Sequence, residues 1–149
     1  MKKIIVPIFI LAILSLVACS GDKECDLCMS PPNFFTFDLV DKDSGENVFA
    51  SGRYNSDDIE VLDASGHRVE FEFVNYEDFN FIEIRTIGWQ TETVNYRINI
   101  GEENIFDLYV DAERLSENGC SFTRYQEIEI SNAEYTNDPL TGIYKIIVE

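Results

Sequence analysis

The sequence predicts an all-β sandwich, and three observations carry that reading. From Phe34 onward, apolar and polar residues alternate with period two in segment after segment, as strands do when one face is buried and the other is wet. Clusters of Gly, Asn, Asp and Ser separate these segments at roughly ten-residue spacing, the rhythm of antiparallel strands joined by turns. No intervening stretches carry the helices that an α/β fold needs. Of 149 residues, 45% are hydrophobic and 13% aromatic, enough for a core and too much for a disordered acidic tail. That length accommodates one folded domain and excludes a multidomain enzyme.

The elements follow in order. Pro31-Pro32-Asn33 closes a leading segment, and Phe35, Phe37 and Leu39 share one face of the first strand. Asp41-Lys42-Asp43-Ser44-Gly45 turns the chain into a short stretch around Val48 to Tyr54. After Asn55-Ser56-Asp57-Asp58, a strand runs from Ile59 to Asp63, and Ala64-Ser65-Gly66 leads into Arg68 to Val74, with Val69, Phe71 and Phe73 inward. Phe79 to Ile87 is ambiguous: Phe79, Phe81 and Glu83 share one face against Ile82 and Ile84 on the other. Thr93 to Ile100 is clean, with Val94, Tyr96, Ile98 and Ile100 inward. Gly101 to Asn104 breaks the pattern, and Ile105 to Ala112, Tyr125 to Ser131 and Ile143 to Val148 bring the count to about eight strands. Only Asp111 to Glu117 looks helical, and it is too short to be stable without packing. The strands predict an antiparallel, immunoglobulin-like β-sandwich over residues 34–149. Its expected core is Phe37, Leu39, Ile59, Val61, Val69, Phe71, Val94, Tyr96, Ile98, Leu108, Ile128, Ile130, Tyr144 and Ile146.

The first residues do not belong to that domain. Met1-Lys2-Lys3 is a basic start, followed by an apolar run from Ile4 to Val17 broken only by Pro7 and Ser15, a secretory signal pattern. As a helix this run would span about 21 Å, short of the ~30 Å hydrocarbon core, so cleavage is expected and not a permanent span. Leu16-Val17-Ala18-Cys19 resembles a bacterial lipobox. The resemblance implies a signal peptide over 1–18, a diacylglyceryl thioether on Cys19 and further acylation, and several acyl chains make a durable anchor where one does not. Residues 19–33 then read as a lipidated flexible tether. Within it, Ser20-Gly21-Asp22-Lys23-Glu24 is similar to the acidic, lysine-containing export signal of lipoproteins from Bacteroidota-type bacteria, which implies an outer-membrane protein displayed at the cell surface. As a plain linker it would leave the domain on the periplasmic face. The opening Phe35-Thr36-Phe37-Asp38-Leu39-Val40-Asp41-Lys42-Asp43-Ser44-Gly45 and the close Gly142-Ile143-Tyr144-Lys145-Ile146-Ile147 resemble small sandwich lipoproteins of those bacteria, mostly of uncharacterised role. That likeness implies a fold and a location, and no reaction.

Charge narrows the partners. Asp and Glu number 28 against 11 Lys and Arg, for a net charge of -17, a field that repels nucleic acid. Of four cysteines, Cys19 is taken by the lipid, which leaves Cys25, Cys28 and Cys120 in a compartment where disulfides persist. Three pairings are open. A bond from the tether to Cys120 is favoured, because closing a loop of about 100 residues removes more unfolded-state entropy than the short Cys25 to Cys28 loop does. Cys25-Asp26-Leu27-Cys28 is formally a C-x-x-C redox motif, yet it lies in a linker followed by Pro31-Pro32, not at the mouth of a helix. A zinc set of Cys25, Cys28, Cys120 and His67 has suitable ligand types, and only its first pair has diagnostic spacing. His67 follows Ala64-Ser65-Gly66 and reads as a turn residue.

Other chemistry is sparse. Asp41, Asp43 and Glu46 offer oxygens around a tight turn, as Ca²⁺ sites do, but Gly45 comes one place too early for an EF-hand loop and no helices flank it. With so many carboxylates, no glycosidase pair can be singled out, and no serine near the single histidine sits in a nucleophile elbow. Trp89, Tyr76 and Phe79 fall in or beside turns, where exposed aromatics stack on sugar rings or partner proteins, or else cap the core. The expectation is a non-enzymatic, lipid-anchored envelope or cell-surface protein without a cofactor, held to the membrane by its lipid and acting by binding or as part of an envelope assembly. A glycan-binding accessory protein, with or without Ca²⁺, is the alternative, and a small carboxylate hydrolase is the third reading.

Overall fold

The computed structural model describes residues 29–77 and 79–149. The expected signal segment, Cys19, Cys25 and Cys28 lie outside the described residues. Among the described residues, nine strands form two packed sheets. They are β1 (Phe35–Asp41), β2 (Ile59–Leu62), β3 (Glu72–Tyr76), β4 (Phe79–Ile84), β5 (Glu92–Ile100), β6 (Glu103–Glu117), β7 (Cys120–Ser131), β8 (Glu134–Asn137) and β9 (Tyr144–Val148). One sheet has the order β3-β4-β1-β9-β8 and the other β2-β5-β6-β7. The all-β sandwich is therefore what the chain forms.

The inward faces follow the alternation. Phe35, Phe37 and Leu39 of β1, Ile82 and Ile84 of β4, and Ile146 and Val148 of β9 are buried against Val61, Ile98, Phe106, Leu108 and Val110 of the other sheet. Phe37 and Phe106 meet across the gap with ring centroids 4.8 Å apart. Of the expected core, Val69, Phe71, Tyr96, Ile128 and Tyr144 are only partly buried and pack on its margin.

Four differences from the sequence expectation have physical causes. Asp111 to Glu117 is strand, not helix: β6 runs on to Glu117 and pairs with β7 down to Glu117 opposite Cys120. Asn118 (φ 52) and Gly119 (φ 84) make the two-residue turn between them, the positive-φ pair that a tight hairpin demands. Long-range pairing thus overrides local helix preference. Second, Arg68 to Val74 becomes strand only from Glu72; before that, Arg68 makes one isolated bridge to Leu62. Third, β8 is an unforeseen ninth strand, four exposed residues held by pairing with β9. Fourth, the pairing is not wholly antiparallel. β1 and β9 run parallel, from Phe37 opposite Tyr144 to Asp41 opposite Val148.

The end of the expected tether is docked. Met29 bridges Ser121 in parallel, and the Ser30 amide donates to the Ser121 carbonyl at 2.8 Å. Pro32 is buried, and the Asn33 amide donates to the Tyr125 hydroxyl at 3.1 Å. This strap crosses Gly88, whose φ is +92 and where a Cβ would come within 2.9 Å of Thr123 Cγ2 and 3.2 Å of Pro32 Cβ. Glycine is required there by both backbone and space.

Candidate functional site

The outward face of the five-stranded sheet carries the most distinctive surface. Its ambiguous strand is resolved by burial: Asn80, Ile82 and Ile84 face the core, which turns Phe79 and Phe81 outward. Across the sheet, Val74 lies opposite Phe81, Phe81 opposite Asp38, Asp38 opposite Lys145, and Lys145 opposite Thr136. The part of that row from Phe81 to Thr136 is the floor of a cleft of about 520 Å³, closed by Gly45 and Asn47 at one side and by Asp138 and Thr141 at the other. A second cleft, about 670 Å³, continues past Phe81, Asn137, Thr141 and Ile143, which line both, toward Phe34, Tyr125 and Leu140. Together they form one groove.

Polar groups on the rim are held in place. The Asn47 side-chain amide donates to Asp38 Oδ1 and to the Asn80 carbonyl, each at 2.9 Å. Asn80, the buried polar residue of β4, accepts from Asn75 Nδ2 at 2.9 Å. The far rim is a self-bonded loop: the Leu140 amide donates to Asp138 Oδ1 at 2.9 Å, and the Gly142 amide to the Asp138 carbonyl at 2.8 Å. Its tip presents Leu140, 94% exposed. The Leu140 amide, followed by the Thr141 hydroxyl, holds the Asp138 carboxyl below its ordinary 3.8. At the other end, Arg85 lies over the Phe34 ring at 4.8 Å and pairs with both Glu72 and Glu83. Burial pushes the Tyr125 and Tyr144 phenols above 10.0, so both are neutral hydrogen-bonding groups across the physiological range.

Among the residues singled out from sequence, Tyr76 and Phe79 come together. They are cross-strand partners, 66% and 53% exposed, and Phe79 packs on Phe81 with centroids 5.5 Å apart. Trp89 does not join them. It lies beyond the opposite end of β4, about 17 Å of strand from Phe79, and its Nε1 donates to the Arg85 carbonyl at 2.9 Å. Phe81, Asn47, Asn137 and Thr141 were missed. The signal for Phe81 was the apolar doubling of its strand.

The acidic turn is occupied by its own backbone. Asp41 Oδ1 accepts from the Ser44 amide at 2.8 Å, the Asp43 amide at 3.1 Å and the Ser44 hydroxyl at 3.0 Å, and Arg53 pairs with the other oxygen. The Ser44 amide is the chief reason its carboxyl sits below 3.8. Asp43 and Glu46 point to solvent, and among the described residues no three His, Cys, Asp or Glu side chains gather for a metal. His67 is the turn residue its context suggested: its amide donates to Asp63 Oδ1 at 2.8 Å, and its Nδ1 lies 3.4 Å from Asp63 Oδ2. Asp63, Ala64 and Ser65 of that turn border a cleft together with Thr93–Tyr96, whereas Cys120 opens β7 at the hairpin end. The β6 residues between Asp111, opposite Thr93, and Glu117, opposite Cys120, put about 20 Å between them, so His67 is no zinc partner of Cys120.

The chain matches no protein family, no characterised protein and no solved structure. Among the described residues, no helix is long and apolar enough to cross a membrane. The groove offers aromatic and polar surfaces to a ligand. Aromatic faces beside fixed amides and hydroxyls suit a ligand with alternating C–H and O–H surfaces, since the rings take the apolar face and the amides orient the polar edge.

Proposed function

We infer that this chain is a non-enzymatic, lipid-anchored binding protein of the bacterial envelope, and that an extended, uncharged glycan lies in the groove of the five-stranded sheet. The observation that carries the reading is the row of Phe79 and Phe81 beside Asn47, Asn137 and Thr141 on an outward sheet face. A sugar ring stacks its C–H face on an aromatic ring and exchanges its hydroxyls with amides, and the groove supplies both. The net charge of -17 disfavours acidic polysaccharides and leaves neutral ones. The basic start, the apolar run and Leu16-Val17-Ala18-Cys19 support the anchor, and the similarity of Ser20–Glu24 to an export signal supports display at the cell surface, attached to the outer membrane.

Two experiments test the reading. The full chain in detergent is passed over a panel of neutral polysaccharides: retention that Phe81→Ala weakens is expected, and no retention on any of them overturns the glycan assignment. Fatty-acid labelling of wild type against Cys19→Ala should label only the former, and equal labelling overturns the anchor. Protease shaving of intact cells then reports which face of the outer membrane carries the domain.

A further inference from the structure

We propose that the second cleft is a strand-addition site, where an extended, basic-ended segment of a partner polypeptide pairs with the leading half of β1 in the place that β9 leaves vacant. Backbone bonds fix which flank of β1 each residue serves, because successive residues of a strand turn their N–H and C=O groups to opposite sides. The Lys42 amide donates to the Val148 carbonyl of β9 at 2.9 Å. On the other flank, where Val40 bridges Asn47, the Val48 amide donates to the Leu39 carbonyl at 3.0 Å and the Asp41 amide to the Glu46 carbonyl at 2.9 Å. Even-numbered residues of β1 therefore serve the β9 flank. Pairing with β4 begins at Phe35 opposite Ile84, but pairing with β9 begins only at Phe37 opposite Tyr144. Just before Tyr144 the chain turns away through Gly142, at φ 74, whose amide donates to the Asp138 carbonyl. The Thr36 amide and the Phe34 carbonyl thus point to a flank along which no strand runs, and among the described residues no turn or loop backbone bonds to either. The cleft of about 670 Å³ lies there, within the range of ligand sites.

Polypeptide is what fits. An added strand supplies a carbonyl to the Thr36 amide and an amide to the Phe34 carbonyl at ladder spacing, and main-chain bonds of this kind give strand addition its affinity. Alternate side chains give specificity. A residue set beside Phe35 turns its side chain to the core side, where Tyr125 and Ile128 of β7 and Tyr144 of β9 line the cleft. Leu140, 94% exposed and on the same lining, is apolar surface that a bound strand covers. The lining is close to neutral, since Glu83 is paired with Arg85, so the field of the whole chain decides between partners. At -17 it opposes a second copy of this chain and draws a segment with basic ends. The proposal does not rest on the glycan reading, which the first cleft carries.

The probe is a peptide library of the form Lys-X-Thr-X-Thr-X-Lys, with X being Val, Ile, Leu, Phe or Tyr, offered to the full chain in detergent. Members of this library should be retained in preference to the same library with glutamate ends. A retained peptide, added to isotope-labelled chain, should slow hydrogen exchange of the Thr36 amide at least about tenfold by nuclear magnetic resonance. Thr36→Pro removes that N–H where the fold does not bond it, as proline is tolerated on a free strand edge. It should weaken the retained peptide at least about tenfold relative to Thr36→Ala, which keeps the N–H. Urea unfolding checks that the proline variant folds, and the exchange measurement on wild type needs no variant. No retained peptide, equal retention of glutamate-ended peptides, equal weakening by the two variants, or binding that leaves Thr36 exchange unchanged overturns the proposal. Slowing of the same amide by a neutral oligosaccharide and by no peptide overturns it too, and assigns the cleft to the glycan.

Discussion

The outward faces of the two sheets are made from strands of the same kind and end as chemical opposites. On the four-stranded sheet, Asn95, Arg97, Asp107, Asp111, Glu127 and Glu129 project outward, a solvated acidic face. On the five-stranded sheet, Val74, Tyr76, Phe79 and Phe81 project outward beside Thr36 and Asp38. A sandwich needs only one apolar face per sheet to fold. Aromatics on a second face are surplus to folding, and an exposed patch of this kind is the surface on which a binding role is to be tested.

The strongest way to break the comparison is to remove what the faces share. Phe37→Ala deletes the ring that meets Phe106 across the core and Tyr144 on the neighbouring strand of its own sheet, and a loss of about 3–5 kcal/mol is expected in urea denaturation. Both faces should then unfold in one transition. Gly88→Ala strikes the strap alone. A Cβ forced against Thr123 and Pro32 at positive φ should cost about 1–3 kcal/mol by thermal or urea unfolding, with limited proteolysis near residue 30 accelerated before the core opens.

Two paired substitutions sharpen the difference between the faces. Phe81→Ala should weaken glycan retention about tenfold, ~1.4 kcal/mol, as loss of a central aromatic contact does. Tyr109→Ala, on the acidic face opposite Asn95 and Glu129, should leave retention unchanged, and equal losses in affinity chromatography would erase the distinction. On that face Asp111 stands directly opposite Glu127. Glu127→Lys replaces like charges with unlike ones and should raise stability by about 0.2–1 kcal/mol, more at low salt.

The smallest expected effect is in acid. The folded Asp41 carboxyl lies below its ordinary 3.8. Its turn therefore adds stability above that value, and the addition is lost as pH falls through the lower folded value. Urea midpoints between about pH 5 and about pH 2 should fall less steeply for Asp41→Asn than for wild type.

Much of this molecule was legible before the fold was known, and the parts that were not have a common cause. Thr93 to Ile100 announced its inward residues because its outer face meets only water, so the alternation stayed clean. Phe79 to Ile84 was ambiguous because its outer face is apolar as well, and that doubling was the imprint of the groove. Asp111 to Glu117 misled because its residues favour helix locally while Asn118-Gly119 commits them to a hairpin, a turn signal present in the sequence and overlooked. β8 had no alternation to show, since all four of its residues are exposed. Trp89 shares with Tyr76 and Phe79 only an exposed place beside a turn, and the sequence does not reveal that a straight strand holds it apart from them.

The parallel alliance of the first and last strands has a consequence for force. Tension drawn between the leading end of β1 and the trailing end of β9 slides the two past each other along their axes. Every hydrogen bond from Phe37–Tyr144 to Asp41–Val148 must then yield at once and not one after another. Under tension between those two ends, that arrangement acts as a shear lock.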